Sequence, residues 1–322
     1  MAVKIGFVGA GWVATQHFKS LAQVPEANIV ACTDVDEDKA AEAAARFAGA
    51  AAYTDYRDML DEQDLDAVYI CLPPHVHGEL ETACIEAGLP FFIEKPLSHD
   101  LETAERVLDA LETNPVVAGV GYMMRYSDNA ARVKGILEEE TAVVARSIYA
   151  CGVPGPPWWR RKEQSGGQVV EQTTHLFDLA RYLLGEVQSV YCRPRRGLIT
   201  DMENYNTDDA SACSLVFESG LLCDVISTCA VNVGERSLEV FTPDTRAKLS
   251  DGTGRLTVER KDETVSYSPD EDLFLREDRA FVEAVDTGDT SGVLSDYRDA
   301  FRTHRVTCAA NESMETGQPV QL

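Results

Sequence analysis

Two residues in this chain combine reactivity with a suggestive setting for acid-base work: Lys95 in the run LPFFIEKPL and His175 in SGGQVVEQTTHLFDLARYLLG. Lys95 ends an apolar, strand-like stretch and precedes Pro96, which disfavours the helical region for the residue before it and keeps the chain extended. A lysine in that place could hydrogen-bond a reacting oxygen; a plain surface lysine beside Glu94 is the alternative. His175 lies in a helical pattern whose apolar face is Leu176, Leu179, Ala180, Leu183 and Leu184, with Gly185 placed as its terminator. Glu171, His175, Asp178 and Tyr182 follow at spacings of 4, 3 and 4, which sets them on one stripe if the helix reaches back to Glu171. A carboxylate there could orient the imidazole, whose unperturbed pKa of about 6.5 suits proton transfer near neutral pH. Taken alone, such a histidine reads as a surface or capping residue; the Ser165-Gly166-Gly167 loop before it and the matching Lys95 favour chemistry.

A nucleotide-binding start must position these groups. In VKIGFVGAGWVATQH a short apolar run leads into Gly9, Gly11 and Ala14, the order of strand, glycine turn and helix. Gly9 permits the tight turn, Gly11 lets the backbone approach a pyrophosphate, and Ala14 lets the helix pack close to the strand. Trp12 and Val13 open that helix, whose first N–H groups and partial positive charge suit phosphates, and they join the cofactor-binding candidates. A second apolar strand ends in Asp34, 25 residues after Gly9. A carboxylate there accepts from the ribose hydroxyls of NAD and repels the extra phosphate of NADP, and no Arg or Lys stands within four residues after it. The alternative is that Asp34 or Asp36 merely caps the next helix.

Composition bounds the rest. The 322 residues are 44% hydrophobic, enough for two domains, without internal repeats or low-complexity segments. The opening MAVKIGF reads as a strand and not a signal peptide, and no apolar run approaches the roughly 18 residues of a membrane helix, so a cytoplasmic location is expected. Nine cysteines, among them Cys32, Cys71, Cys84, Cys213, Cys223 and Cys229 inside apolar patterns, form no C-x-x-C or Cys/His cluster; they read as buried free thiols, with no metal site. The formal net charge of −25 disfavours nucleic acid and anionic membranes as partners. Acidic residues are dispersed and only 8 lysines occur, which suits a salty cytosol; an ordinary acidic enzyme is the alternative.

Residues 1–121 alternate strand and helix, which predicts a doubly wound parallel sheet, a Rossmann-type NAD-binding domain. Residues 122–322 carry β-rich runs between about Val143 and Tyr267, interrupted by the His175 helix and closed by two helices. This predicts an α+β domain with a large, mostly antiparallel sheet, whose C-terminal helix could pack back on the first domain. The Pro/Gly-rich run GVPGPPWWRRKEQ places Trp158, Trp159, Arg160 and Arg161 shortly before the helix. An indole face could stack on a sugar ring and an arginine could bind a carboxylate or phosphate; packing against a neighbouring subunit is equally open. Tyr122, Arg125 and Tyr126, just beyond the last parallel strand, are weaker pocket candidates.

Three motifs together resemble the glucose-fructose oxidoreductase, inositol dehydrogenase and MocA (Gfo/Idh/MocA) family over essentially the whole length. They are the glycine turn at Gly9, Gly11 and Ala14, the tripeptide Glu94-Lys95-Pro96, and the segment from Gly166-Gly167 to His175-Leu176-Phe177-Asp178. The run CLPPHVHGE, with Leu72, Pro73, Pro74 and His77, resembles the loop lining the nicotinamide side. The resemblance implies NAD as cofactor, Glu94 and Lys95 near it, and contact of Lys95 and His175 with a reacting hydroxyl, Thr174 beside them. It implies oxidation of a secondary hydroxyl of a sugar, polyol or inositol-like substrate, by a homodimer or homotetramer, with residues 122–322 as the domain for substrate binding and oligomerisation through the outer face of its sheet. One departure stands out: Glu171 occupies the place of the family's usual Asp, with Thr173 where Gly is common. Glu171 could pair with His175 from a different backbone position, reach the substrate itself, or do neither. A redox-neutral enzyme that oxidises a sugar only transiently, and a non-catalytic NAD and sugar sensor, are the rival readings; the intact Lys95 and His175 argue against the second.

Overall fold

The computed structural model describes residues 2–268 and 271–322. The chain divides into two compact units. One comprises Met1–Ser98, Glu102–Met123 and Glu271–Ala300; the other comprises His99–Leu101, Met124–Asp270 and Phe301–Leu322.

In the first unit strand and helix alternate: β1 (Val3–Val8), α1 (Trp12–Leu21), β2 (Ala27–Thr33), α2 (Glu37–Ala44), β3 (Ala51–Tyr53), α3 (Tyr56–Glu62), β4 (Ala67–Ile70), α4 (Glu79–Glu86), β5 (Phe91–Ile93), α5 (Leu101–Thr113) and β6 (Ala118–Val120). The strands form one parallel sheet in the order β3-β2-β1-β4-β5-β6. The order reverses beside β1, and the carboxyl edge at such a switch point is where open α/β sheets bind their ligands. All four residues of β4 and all three of β5 are buried, as strands covered on both faces must be. Phe7, Tyr69 and Phe92 stack across β1, β4 and β5 with centroids 4.8 and 5.0 Å apart. In α1, Ala14, Phe18 and Leu21 recur at helical spacing and bury against the sheet.

In the second unit α6 (Asp128–Glu139) precedes β7 (Val144–Ala150), and three helices follow: α7 (Lys162–Ser165), α8 (Gln168–Glu171) and α9 (Thr174–Leu184). Then come β8 (Val187–Arg195), β9 (Ala210–Phe217), β10 (Leu222–Thr228), β11 (Glu235–Phe241), β12 (Thr245–Ser250), β13 (Arg255–Arg260) and β14 (Glu263–Tyr267). The chain closes with α10 (Leu273–Thr287), which belongs to the first unit, α11 (Tyr297–Thr316) and β15 (Val320–Gln321). Nine strands make one sheet, order β14-β13-β12-β11-β7-β10-β9-β8-β15, antiparallel except for β7 beside β10. Its core face, with Leu215, Val225, Leu238 and Leu249, packs with Leu176, Leu179, Ala180 and Leu183 of α9.

The expectation of free thiols throughout fails at one pair. Cys192 and Cys213 stand directly opposite each other in the β8–β9 register, both buried, and form a disulfide. Cys32, Cys71, Cys84, Cys223 and Cys229 are buried free thiols, while Cys151 and Cys308 are free and partly exposed. Among the described residues no helix is long and apolar enough to cross a membrane.

Candidate active site

In the first unit the glycine turn has a steric cause. Gly9 adopts φ +92°, and a Cβ there would stand 2.3 Å from the carbonyl oxygen of Cys71. Any side chain would therefore push β1 away from the chain leaving β4. Around Gly11 the space is open, with nothing within 4 Å of an added Cβ, so no contact of the fold itself requires glycine there. No side chain caps the start of α1 at Gly11, which leaves the helix start to be satisfied by a bound anion or water. Trp12 is exposed and Val13 partly so, while Ala14 is fully buried at the close approach of helix and sheet.

Asp34 ends β2 beside this turn. Its Oδ2 accepts the N–H of Ala10 at 2.9 Å and its Oδ1 that of Asp36 at 3.0 Å. Capping of α2 falls to Asp36, whose side chain accepts from Lys39 N–H, so the capping alternative holds for Asp36 and not for Asp34. The residue after Asp34 is Val35, which is exposed and offers no cation for a 2′-phosphate.

After β4, Leu72 and Pro73 are partly exposed and Pro74 is buried. His77 is buried as well, with its two ring nitrogens 3.1 Å from Leu97 O and 3.0 Å from Leu72 O. It ties the proline loop to the chain after β5 and acts as a clamp on the backbone. Directly after β5, Glu94 turns its carboxylate into the core and Lys95 is half-exposed at the sheet's carboxyl edge. Glu94 Oε2 accepts the Lys95 N–H at 3.1 Å, and the Lys95–Pro96 peptide is cis.

In the second unit the helix does not reach back to Glu171. α8 ends there, Gln172 takes φ −108° and ψ −53°, and α9 begins afresh at Thr174. The single stripe from Glu171 to Asp178 is thus corrected. Thr174 and His175 form the first turn of α9, both buried, and His175 Nδ1 is shielded from solvent. The Glu171 carboxylate accepts the indole N–H of Trp159 at 2.5 Å. Trp159 is fully buried, whereas Trp158 and Arg160 are partly exposed in the same turn.

Arg125, a pocket candidate from the sequence, is buried. Its Nε and Nη2 donate to Asp178 Oδ2 and Oδ1 at 2.7 and 2.6 Å, and Thr303 Oγ1 donates to Oδ1 at 2.8 Å. Both members of this bidentate pair are buried, and the guanidinium lies 5.1 Å from the Tyr182 ring centroid. The pair fastens α9 from within. Sequence reasoning passed over His17, although it follows Ala14 by three residues on the buried face of α1; Trp159, read as a loop residue that could stack on a sugar, is instead buried beneath that loop.

Two profiles of one protein family match the chain. The oxidoreductase family with an NAD-binding Rossmann fold matches residues 3–122, and the GFO/IDH/MocA C-terminal domain matches residues 141–247. The chain belongs to the Gfo/Idh/MocA family. It is similar to myo-inositol 2-dehydrogenase of Thermotoga maritima, 27% identical over 331 residues and covering 99% of this chain and 98% of that one. It is likewise similar to D-xylose 1-dehydrogenase (NADP(+)) 2 of Haloferax volcanii, 28% identical over 335 residues, 98% and 99% of the two chains. In fold it matches levoglucosan dehydrogenase in complex with NADH and levoglucosan, with TM-score 0.90, 21% identity and coverage of 100% and 99%. As a Gfo/Idh/MocA oxidoreductase the chain uses NAD. The side-chain-free cradle at Gly9 and Gly11, the uncapped start of α1 and the fixed Asp34 carboxylate fit that cofactor.

Proposed function

We propose that this protein is an NAD-preferring, cytoplasmic dehydrogenase that oxidises a secondary hydroxyl of a sugar, polyol or inositol-like substrate, with Lys95 and His175 as its catalytic residues. The observation that carries the reading is the position of Lys95, directly after β5 at the carboxyl edge of the sheet that also bears the glycine turn. Relatives named for inositol and xylose, and a solved neighbour bound to levoglucosan, support the substrate class.

Bound NAD supplies the hydride acceptor, and the side chains supply placement and charge. His175 takes the hydroxyl proton; because Nδ1 is buried, Nε2 is the nitrogen assigned to receive it. Lys95 Nζ donates a hydrogen bond to the same oxygen and stabilises the charge that develops on it. Asp34 accepts from the adenosine ribose hydroxyls and disfavours a 2′-phosphate; Trp12, Val13, Leu72, Pro73 and Pro74 line the cofactor. Glu171 acts through Trp159, fixing the loop that presents Trp158 and Arg160 to the substrate. Arg125, paired with Asp178 in the second unit, is read as a fastener of α9 in preference to a substrate ligand. Leu222 and Ile226, exposed on the outward face of β10, support self-association into a dimer or tetramer. A panel of polyols and sugars with NAD, followed by NADH absorbance, tests the reading: turnover of at least one supports it, and none across the panel refutes it.

A further inference from the structure

Beneath Lys95 the first unit holds a buried polar cluster that this chemistry does not use. His17 of α1, Glu94 after β5 and Glu277 of α10 bring ligand atoms within 4.8 Å of one another. His17 Nδ1 lies 2.8 Å from Asp278 Oδ1, and Nε2 lies 3.2 Å from Glu94 Oε1. An ionised carboxylate only accepts, so both ring nitrogens donate. Asp278 also accepts from the Ser20 hydroxyl, and Tyr69, Phe92 and Phe274 wall the ring at centroid distances of 5.4, 5.2 and 5.2 Å. Gly121 closes the space behind Glu94, where an added Cβ would stand 2.9 Å from the carboxyl carbon. Neither oxygen of the buried Glu277 has a hydrogen-bond partner. Three such groups would suit a divalent cation, but both nitrogens of His17 already face carboxylates at hydrogen-bond distance, so the cluster is a clamp held by protons.

What the clamp holds is the backbone of Lys95. Successive side chains of an extended chain point to opposite faces, so drawing Glu94 inward sends Lys95 outward. The other oxygen of Glu94 accepts the Lys95 N–H. His17 is six residues beyond Gly11 on the helix that starts at the glycine turn. We propose that His17 is a positioning residue for Lys95, acting from the cofactor-binding helix through the Glu94 carboxylate. The proposal deepens the reading of Lys95 above and rests on it.

The side-chain amide of glutamine reaches about as far as Nε2 of histidine and that of asparagine about as far as Nδ1. His17→Gln therefore keeps a donor toward Glu94, whereas His17→Asn keeps one only toward Asp278. With NAD saturating, His17→Asn is expected to lower kcat by about tenfold or more, as small misplacements of a reacting group do, and to speed hydrogen exchange at the Lys95 amide by a similar factor. His17→Gln should show clearly smaller effects on both, with NAD affinity within about twofold in either variant. Val24→Ala, a buried apolar truncation elsewhere in the same unit, should lower Tm without changing exchange at Lys95. Equal effects of the two His17 variants, a milder effect of asparagine, unchanged exchange in both, or a stoichiometric divalent ion in the purified protein would overturn the proposal. If His17→Asn does not fold, Glu94→Gln replaces it, with faster Lys95 exchange expected and unchanged exchange contradicting the link. Full activity in Lys95→Ala would remove the catalytic reading of Lys95, while the exchange experiment would still decide the positioning claim.

Discussion

Replacing Asp178 by asparagine tests whether Arg125, buried in the second unit, is a fastener or a substrate ligand. Asp178 receives two guanidinium N–H groups at 2.7 and 2.6 Å, and the side chains of Arg125 and Asp178 are only 3% and 1% exposed. Asparagine keeps one acceptor, still able to serve Thr303, but turns an NH2 toward the guanidinium and leaves a buried cation without its anion. Breaking a buried pair from one side costs about 3–5 kcal/mol. At roughly 2–4 °C per kcal/mol for a unit of this size, Tm should fall by about 10 °C. Replacing both partners with apolar residues, Arg125→Met with Asp178→Leu, should recover part of that loss, because no buried charge is then left alone; a double-mutant cycle measures the recovery. The assay is thermal denaturation alongside steady-state kinetics on a confirmed substrate. A Tm change below about 2 °C in Asp178→Asn, together with a KM raised about tenfold in Arg125→Met, would refute the assignment and return Arg125 to the substrate pocket.

Four further outcomes are expected. NAD should be preferred over NADP by at least about tenfold, about 1.4 kcal/mol, and Asp34→Ser with Val35→Arg should narrow the gap; equal turnover of the two cofactors would reject the role of Asp34. Glu171→Gln still offers an acceptor to Trp159, so it should cost only about 1 kcal/mol of stability and leave the pH profile of kcat in place, whereas a shifted profile would mean that Glu171 orients His175. Burial pulls the pKa of His17 down, but the charges and hydrogen bonds of Asp278 and then Glu94 hold it well above the ordinary range, and burial lifts Glu277 well above the usual carboxylate range. Each raised value contributes stability that is complete below the unfolded value, about 6.5 for the imidazole, and is lost as pH rises through the folded one; Tm should therefore fall from neutral toward alkaline pH, less steeply in His17→Gln. If the net charge of −25 is a salt adaptation, Tm should rise from low to molar KCl through screening of self-repulsion, and a flat Tm would reject it.

The parallel sheet and its glycine turn were legible because their constraints are local. Gly9 must be glycine to clear Cys71, and β4 and β5 are apolar throughout because both faces are covered. The nine-strand sheet was legible as β-rich runs, whereas its order, with β7 parallel to β10, depends on pairings far apart in sequence. The break between α8 and α9 was hidden because Gln172 and Thr173 are ordinary helix residues by type, and 4-3-4 spacing is equally well produced by two short helices. The Cys192–Cys213 bridge was invisible because a cross-strand pairing follows from the register of β8 and β9, which spacing along the chain does not reveal. His17, Glu277 and Asp278 escaped notice for a related reason. Charged residues on a helix read as solvent-facing, and only the packing of α10 in the first unit buries these among one another.

The central claim is that His175 and Lys95 carry the chemistry, and single-turnover kinetics of their alanine variants on one confirmed polyol or sugar tests it most directly. His175→Ala and Lys95→Ala should each lower the rate of NADH formation by about 10² or more with NAD affinity nearly unchanged, and the double variant should lose much less than the product of the two, since both groups act on one oxygen. Full activity in His175→Ala would contradict the account and place the base elsewhere.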